Sequence, residues 1–209
     1  MLREPEYSDD QLLRRIIAGE EDSFVCFYRR WQARIFRFAL HMSGSPTVAE
    51  DVVQETFMSV IRDASRFDPA LGTASAYLFG IARNQVLRRL EKDRMLVPFP
   101  DPDEAPIESR SKANGNGHHA TSVQPVDLAR KQTIEHVRDA VLSLPGHYRE
   151  VVVLCDLQEM SYEEAAAVLA CAIGTVRSRL HRARTLLAAK LFELRQAPLK
   201  AAVRGRASN

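Results

Sequence analysis

The run SYEEAAAVLACAIGTVRSRLHRARTLL, from Ser161 to Leu187, constrains the chain more than any other stretch. It reads as two short helices joined by a tight turn, the layout of a helix-turn-helix whose second helix meets a DNA groove. Ser161 stands three residues before Glu164, the spacing at which each side chain pairs a backbone N–H that a helix start leaves unmet. Ala165, Ala166, Val168 and Leu169 then supply a small apolar face, and Cys171 to Gly174 reads as the turn. On the second helix the α-helical period predicts a buried stripe of Ile173, Val176, Leu180, Ala183 and Leu187. Thr175, Ser178, His181, Arg182 and Thr185 fall opposite, flanked by Arg177 and Arg184. Arginines can reach guanine edges or phosphates and hydroxyls can reach base edges or phosphate oxygens, so this face suits a major groove. A solvated amphipathic helix could show the same alternation. Its usual carboxylates are missing here: Arg177 to Arg206 contains nine Lys or Arg and a single acid, Glu193.

Charge along the chain is uneven although the net formal charge is only +2. Residues 1–94 carry 14 basic and 14 acidic groups, 95–130 carry 3 and 5, and 131–209 carry 12 and 8. A neutral front, an acidic middle and a basic end predict three pieces with different neighbours. The middle piece, with PFPDPDEAP and KANGNGHHA, holds almost no large aliphatic residues and is expected to be a flexible acidic linker. The His118-His119 pair inside it reads as incidental. No apolar run is long enough to span a bilayer and the N-terminus is charged, so a cytoplasmic protein without membrane insertion is expected. Cys26, Cys155 and Cys171 lack metal or redox spacing and are expected to be buried structural thiols.

Residues 8–93 are helical in period, with turns at Gly19, at Ser43 to Pro46 and at Phe67 to Gly72. In AEDVVQETFMSVIRD the period places Val53, Phe57, Val60 and Ile61 on one apolar stripe and Asp51, Gln54, Glu55 and Met58 on an outer face. That mixed face suits a protein partner better than DNA, and an ordinary solvated face fits it too. Along Ala74 to Lys92, Leu78, Phe79, Ala82, Val86 and Leu90 point one way, while Tyr77, Gly80, Asn84 and Arg88 line the other. A ring, an amide and a guanidinium on one stripe can stack on, hydrogen-bond to and neutralise a single nucleic-acid strand. The loop of Arg66, Phe67, Asp68 and Pro69 just before it could receive an unstacked base.

Taken together these residues resemble a bacterial RNA polymerase sigma factor of the extracytoplasmic-function group. GEEDSFVCFYRR, AEDVVQETFMSV and RFDPALGTASAYLFGIARNQVLRRLEK, within about residues 8–94, are similar to the family's region 2. LPGHYREVVVLCDLQEMSYEEAAAVL and GTVRSRLHRARTLL, within about residues 134–190, are similar to its region 4. The resemblance implies an all-α chain: a region 2-like domain over 1–94, a linker over 95–130, a region 4-like domain over 131–196 and a basic tail over 197–209. It implies core polymerase binding by Asp51, Gln54, Glu55 and Met58, and capture of the −10 element by Phe67, Tyr77, Asn84 and Arg88. It implies reading of the duplex −35 element by Arg149, Thr175, Arg177, Ser178, His181 and Arg182. Core RNA polymerase, promoter DNA as duplex and single strand, and an anti-sigma factor are the implied partners. No cofactor, metal or catalytic residue is implied, and no Gly-rich phosphate loop, nucleophile elbow or metal-ligand spacing suggests an enzyme. A two-domain helix-turn-helix regulator acting without polymerase is the alternative. Tyr77 stands where the family usually has tryptophan, Ala166 replaces a common isoleucine, and Ala172 replaces a frequent turn proline.

Overall fold

The computed structural model describes residues 7–95 and 125–206, and every regular element among them is helical. The front half comprises α1 (Asp9–Ile17), α2 (Glu21–Ser43), α3 (Pro46–Asp63) and α4 (Ala74–Met95), with a single 3-10 turn over Ala64–Arg66. The back half comprises α5 (Pro125–Leu142), α6 (Gly146–Val152), α7 (Tyr162–Leu169) and α8 (Ile173–Arg206). Residues 96–124, and with them most of the predicted linker and the histidine pair, lie outside the described residues. Helix continues past two predicted boundaries: α5 already starts at Pro125, and α8 runs through the expected tail to Arg206.

Local chemistry sets the helix ends. Ser8 and Gln11 form a capping box on α1, and the Ser45 side chain accepts from the N–H of Val48 at the start of α3, where Pro46 already has a helical φ. α2 stops at Gly44, whose φ of 75° places it in the left-handed region that terminates helices. α2 is the spine of the front half, burying Phe27, Trp31, Ile35, Phe38 and Met42 against α3 and α4. Edge-to-face contacts of Phe79 with Trp31, at 6.0 Å, and with Phe38, at 5.3 Å, fix α4 on that spine. α6 widens into a π-helical turn over Val153–Leu157, ending where Glu159 takes a left-handed φ of 58°.

The apolar stripe of α3 differs from the expected one by a rotation. Ala49, Val52, Thr56, Phe57, Ser59 and Val60 are buried, Val53 is half-buried, and Ile61 is 56% exposed. The cause is tertiary: α3 is wedged between α2 and α4, so it buries two flanks, and small Ala49, Thr56 and Ser59 let the neighbouring backbones approach. The three cysteines are free and half-buried rather than buried.

One apolar cluster runs through both halves, because α7 packs on α4 and α5 packs on α2. Gly44 is part of that junction. A Cβ there would stand 3.0 Å from the Cδ1 of Leu142, so the position that ends α2 also admits the side chain of α5. Among the described residues no helix is long and apolar enough to cross a membrane.

Candidate functional site

The two-helix motif forms from the bottom up as its residues dictate. Ser161 Oγ accepts from the N–H of Glu164 at 3.1 Å, and Glu164 Oε2 accepts from the N–H of Ser161 at 3.1 Å, closing the box that starts α7. Ala165, Ala166, Val168 and Leu169 are buried as expected. The turn comes slightly earlier than predicted: Ala170 adopts φ 50° and ψ 47°, and Cys171 donates its N–H to the carbonyl of Ala166. α8 then starts at Ile173, with Val176, Leu180 and Ala183 buried, Leu187 half-buried, and Ile173 37% exposed rather than in the stripe. Burying one Val or Leu side chain contributes about 1.5–3 kcal/mol, which fixes the rotation of α8 and so the direction of its outer face.

That outer face carries exposed Arg177, Ser178, His181 and Arg182, with Thr175 half-buried at its start. The Arg177 guanidinium lies 5.8 Å from the Tyr162 ring, a loose tether to α7. Ser178 and Thr185 turn their hydroxyls back onto the carbonyls of Thr175 and His181 at 3.0 and 3.1 Å, so a base or phosphate would have to compete for them. Arg184 is set apart from its neighbours. It grips Asp156 with two bonds of 3.0 and 2.5 Å, and that carboxylate raises its pKa above the ordinary arginine value.

Arg149 is not on this face. Its Nη1 donates to the carbonyl of Met42 at 2.7 Å, and its Nη2 donates to the carbonyl of Leu144 at 3.1 Å and to that of Leu142. The guanidinium caps the end of α2 and pins the α5–α6 turn, and burial pulls its pKa below the usual value. The expected contact of Arg149 with the −35 duplex is therefore corrected for this conformation, since Nη1 and Nη2 are committed to backbone carbonyls and Nε is buried without a partner.

On α4 the inward face is Ala74, Leu78, Phe79, Ala82 and Val86, while Asn84 and Arg88 are exposed. Phe67 corrects a second expectation: it is only 8% exposed and plugs the loop from beneath, 5.4 Å from the ring of Tyr77. Tyr77 is half-buried and donates its hydroxyl to the carbonyl of Asp63 at 3.1 Å; burial first, and the Asp63 charge second, raise its pKa. Two aromatic rings thus brace the loop rather than stand open on it. What stands open is Leu71, 83% exposed at the loop tip, held by an Asx turn in which Asp68 Oδ1 accepts from the N–H of Ala70 at 2.9 Å. An apolar residue inside the turn run DPALG was the available signal for it. A cleft of about 480 Å3 opens here, lined by Arg66, Asp68, Leu71, Tyr77 and Asn84 and walled by α7 through Val168.

A larger groove of about 860 Å3 lies between α2 and α3, lined by Phe24, Tyr28, Phe36, Gln54, Met58 and Ile61. Phe57 forms its floor, with its ring edge-on to Tyr28 at 4.7 Å. Gln54, Glu55 and Met58 are exposed as expected, but Asp51 is half-buried and paired with Arg89 at 2.5 Å. The aromatic wall on α2 and the exposure of Ile61 were missed from sequence; Phe24 and Tyr28, four residues apart, carried the signal. Among the described residues no cluster of His, Cys, Asp or Glu is gathered to hold a metal ion.

Residues 27–95 match the family profile described as Sigma-70 region 2, and residues 134–187 match that of Sigma-70, region 4. The chain belongs to the extracytoplasmic-function (ECF) sigma factors. This sigma factor is 34% identical over 155 residues to the ECF sigma factor EcfG of Rhodopseudomonas palustris, a match covering 74% of this chain and 77% of the relative. It is 31% identical to the sigma-E factor of Escherichia coli over 192 residues, or 90% of this chain and 97% of that one. Its match to SigE of Mycolicibacterium smegmatis, 36% identical over 162 residues, takes in 76% of this chain but 58% of that relative. Among solved structures it resembles CnrH in complex with the cytosolic domain of CnrY, with a TM-score of 0.65 and 26% identity, covering 88% of this chain and 97% of that one. It also resembles RpoE of Bartonella quintana in complex with the anti-sigma factor NepR, with a TM-score of 0.57 and 31% identity, covering 77% and 91%. The two halves of the sigma factor correspond to the two matched regions.

Proposed function

We propose that this sigma factor directs core RNA polymerase to promoters through three separate surfaces and performs no chemistry of its own. The groove between α2 and α3, with Gln54 and Met58 on its rim and exposed Glu55 elsewhere on α3, receives the polymerase. Asp51 contributes indirectly, by its ion pair with Arg89 on α4. The first turns of α8 read the −35 duplex with Arg177, Ser178, His181 and Arg182, and Thr175 borders that contact. Asn84, Arg88 and the Asp68–Leu71 loop take the opened −10 strand, braced by Phe67 and Tyr77. Boundaries of 1–94, 95–130, 131–196 and 197–209 describe this division of labour. The workplace is the cytoplasm, where polymerase and promoter DNA are found. An anti-sigma factor restrains the protein, a reading supported by its likeness to the sigma factor RpoE of Bartonella quintana, solved in complex with the anti-sigma factor NepR.

The observation that carries the reading is a helix with Val176, Leu180 and Ala183 sealed inward while Arg177, Ser178, His181 and Arg182 stand outward together. Run-off transcription from genomic fragments, with core polymerase in the presence and absence of the chain, tests it. Specific transcripts that need the chain support a sigma role. Sequence-specific DNA binding without polymerase, and no transcripts with it, would favour a free-standing regulator.

A further inference from the structure

We propose that the seam where α5 packs on α2 is a binding site for a phosphoryl group carried by a small molecule, with Arg37 and His41 of α2 and Arg138 of α5 around it. Arg37 and His41 stand one helical turn apart, so their side chains leave α2 as neighbours. His41 Nδ1 lies 2.6 Å from the carbonyl oxygen of Arg37. A carbonyl can only accept, so Nδ1 carries the proton; Nε2 is the nitrogen left for another group, and it donates once the ring is protonated. Arg138 acts on the same ring from across the seam. Arg37 is exposed while His41 and Arg138 are half-buried, which leaves the site an open side.

Positive charge without an answering anion sets this place apart. Among the described residues the side chains of Arg37 and Arg138 make no ion pair and no hydrogen bond, and Arg138 Nε is buried without a partner. Buried polar groups are ordinarily matched, so an orphaned guanidinium nitrogen asks for a reason. Nearby carboxylates do not supply one. Glu135 and Asp139, three residues before and one after Arg138, are exposed and pair with neither arginine, and Glu50, which lines the groove beside Arg37, does not pair with it. A third element adds to the excess. Arg149 is bonded to the carbonyls of Met42, next to His41, and of Leu142, one turn after Arg138, so it brings another guanidinium and no acid. Where other arginines bridge helices they have found carboxylates: Arg30 with Asp9, Arg83 with Glu150 and Arg89 with Asp51.

A phosphoryl group matches what is missing. The two permanent charges of Arg37 and Arg138 balance the charge of about −2 that a phosphomonoester carries near pH 7, and its three oxygens offer one to each side chain. Guanidinium forks suit such oxygens better than ammonium groups do. His41 reports on the field: burial first, and then Arg138 and Arg37, hold its pKa below 6.5 against the opposing bond to the Arg37 carbonyl. A bound dianion reverses the sign of the charge that the ring meets.

Isothermal titration of the full-length chain with pyrophosphate tests the site. Saturable binding is expected, and Arg138→Gln or Arg37→Ala should weaken it at least about tenfold, the order for losing a hydrogen bond to a charged group. Arg14→Gln removes an exposed cation on α1 and should leave affinity within about twofold. Arg138→Gln carries a second signature that a merely structural arginine would lack. In phosphate-free buffer it should melt no lower than wild type, because uncompensated charge is removed, while pyrophosphate should stabilise only the wild type. In NMR spectra the His41 ring, assigned by its loss in His41→Gln, should titrate about one unit higher when pyrophosphate is bound. No saturable binding up to about 10 mM, weaker than the affinity of any specific site, overturns the proposal. Equal affinity of wild type and Arg37→Ala, a change at an exposed residue that keeps the fold, overturns it too. A random-sequence duplex that displaces pyrophosphate, and itself binds Arg138→Gln as weakly as pyrophosphate does, would assign the site to the DNA backbone and overturn the small-molecule reading.

Discussion

Replacing Ser161 by alanine should loosen the DNA-reading half by a predictable amount. The hydroxyl is the acceptor for the N–H of Glu164 at 3.1 Å, and without it that donor at the start of α7 must find water. Losing a Ser cap costs about 1 kcal/mol, within a range of 0.5–2. That corresponds to about a fivefold shift in the folding equilibrium and, for a chain of this size, a fall in melting temperature of about 2–4 °C. Glu164→Ala should cost at least as much. It removes the return bond to the N–H of Ser161 at 3.1 Å and the bond from Thr73 at 2.7 Å, so it weakens both the helix start and the junction with α4. The two changes should be non-additive, since each breaks half of one reciprocal box; a coupling of about 0.5 kcal/mol or more is expected. Urea titration followed by circular dichroism measures all three variants, and Ser161→Thr, which keeps the acceptor, is the control. Wild-type midpoints for Ser161→Ala, or a loss in Ser161→Thr as large as in Ser161→Ala, would refute the reasoning.

Arg182→Ala should lower affinity for a −35 duplex about 5- to 150-fold, corresponding to about 1–3 kcal/mol, with an unchanged melting curve. Arg184→Ala should instead leave DNA binding nearly intact and cost at most about 1 kcal/mol of stability, because its guanidinium is committed to Asp156 in an exposed pair; the opposite ranking in binding titrations and melts would contradict the assignment. Met58→Asp, at a side chain 53% exposed on the groove rim, should reduce core polymerase pull-down at least about tenfold, the loss of a side chain worth ~1.4 kcal/mol, while the melting temperature stays put. Asp51 is a poorer probe of that surface, since changing it also strands Arg89. Burial, and then the neighbouring Asp156, push the Cys155 thiol up to about 11 from 9.0, so the thiolate at pH 8 is about a hundredfold scarcer than in the unfolded chain. Alkylation followed by mass spectrometry should show a similar lag that urea abolishes. The stabilisation tied to this shift is complete below pH 9 and fades as pH rises toward 11.

Local rules were enough for the features that depend on neighbours in sequence. The Ser161–Glu164 box, the small apolar face of α7 and the outward set of Arg177, Ser178, His181 and Arg182 follow from spacing within one or two helical turns, and the structure places them so. The inward set of α4, Leu78, Phe79, Ala82 and Val86, with Leu90 half-buried, was legible for the same reason, because the fully buried residues of that helix share one face.

What escaped the sequence was decided by contacts between distant residues. A helical wheel holds one stripe, so it could not show that α3 is packed on both flanks, which buries Thr56 and Ser59 and leaves Ile61 at the groove. Nor does spacing tell a reading residue from a bracing one: Phe67 and Tyr77 have the right chemistry for a base but find each other first. Arg149 looked available because its partners, the carbonyls of Met42, Leu142 and Leu144, are backbone groups with no sequence signature, and one of them lies 107 positions away. Periodicity records which side of a helix is apolar, while the fate of a charge or a ring depends on which acceptor or cavity the fold brings within about 3 Å of it, and that proximity exists only in the folded chain.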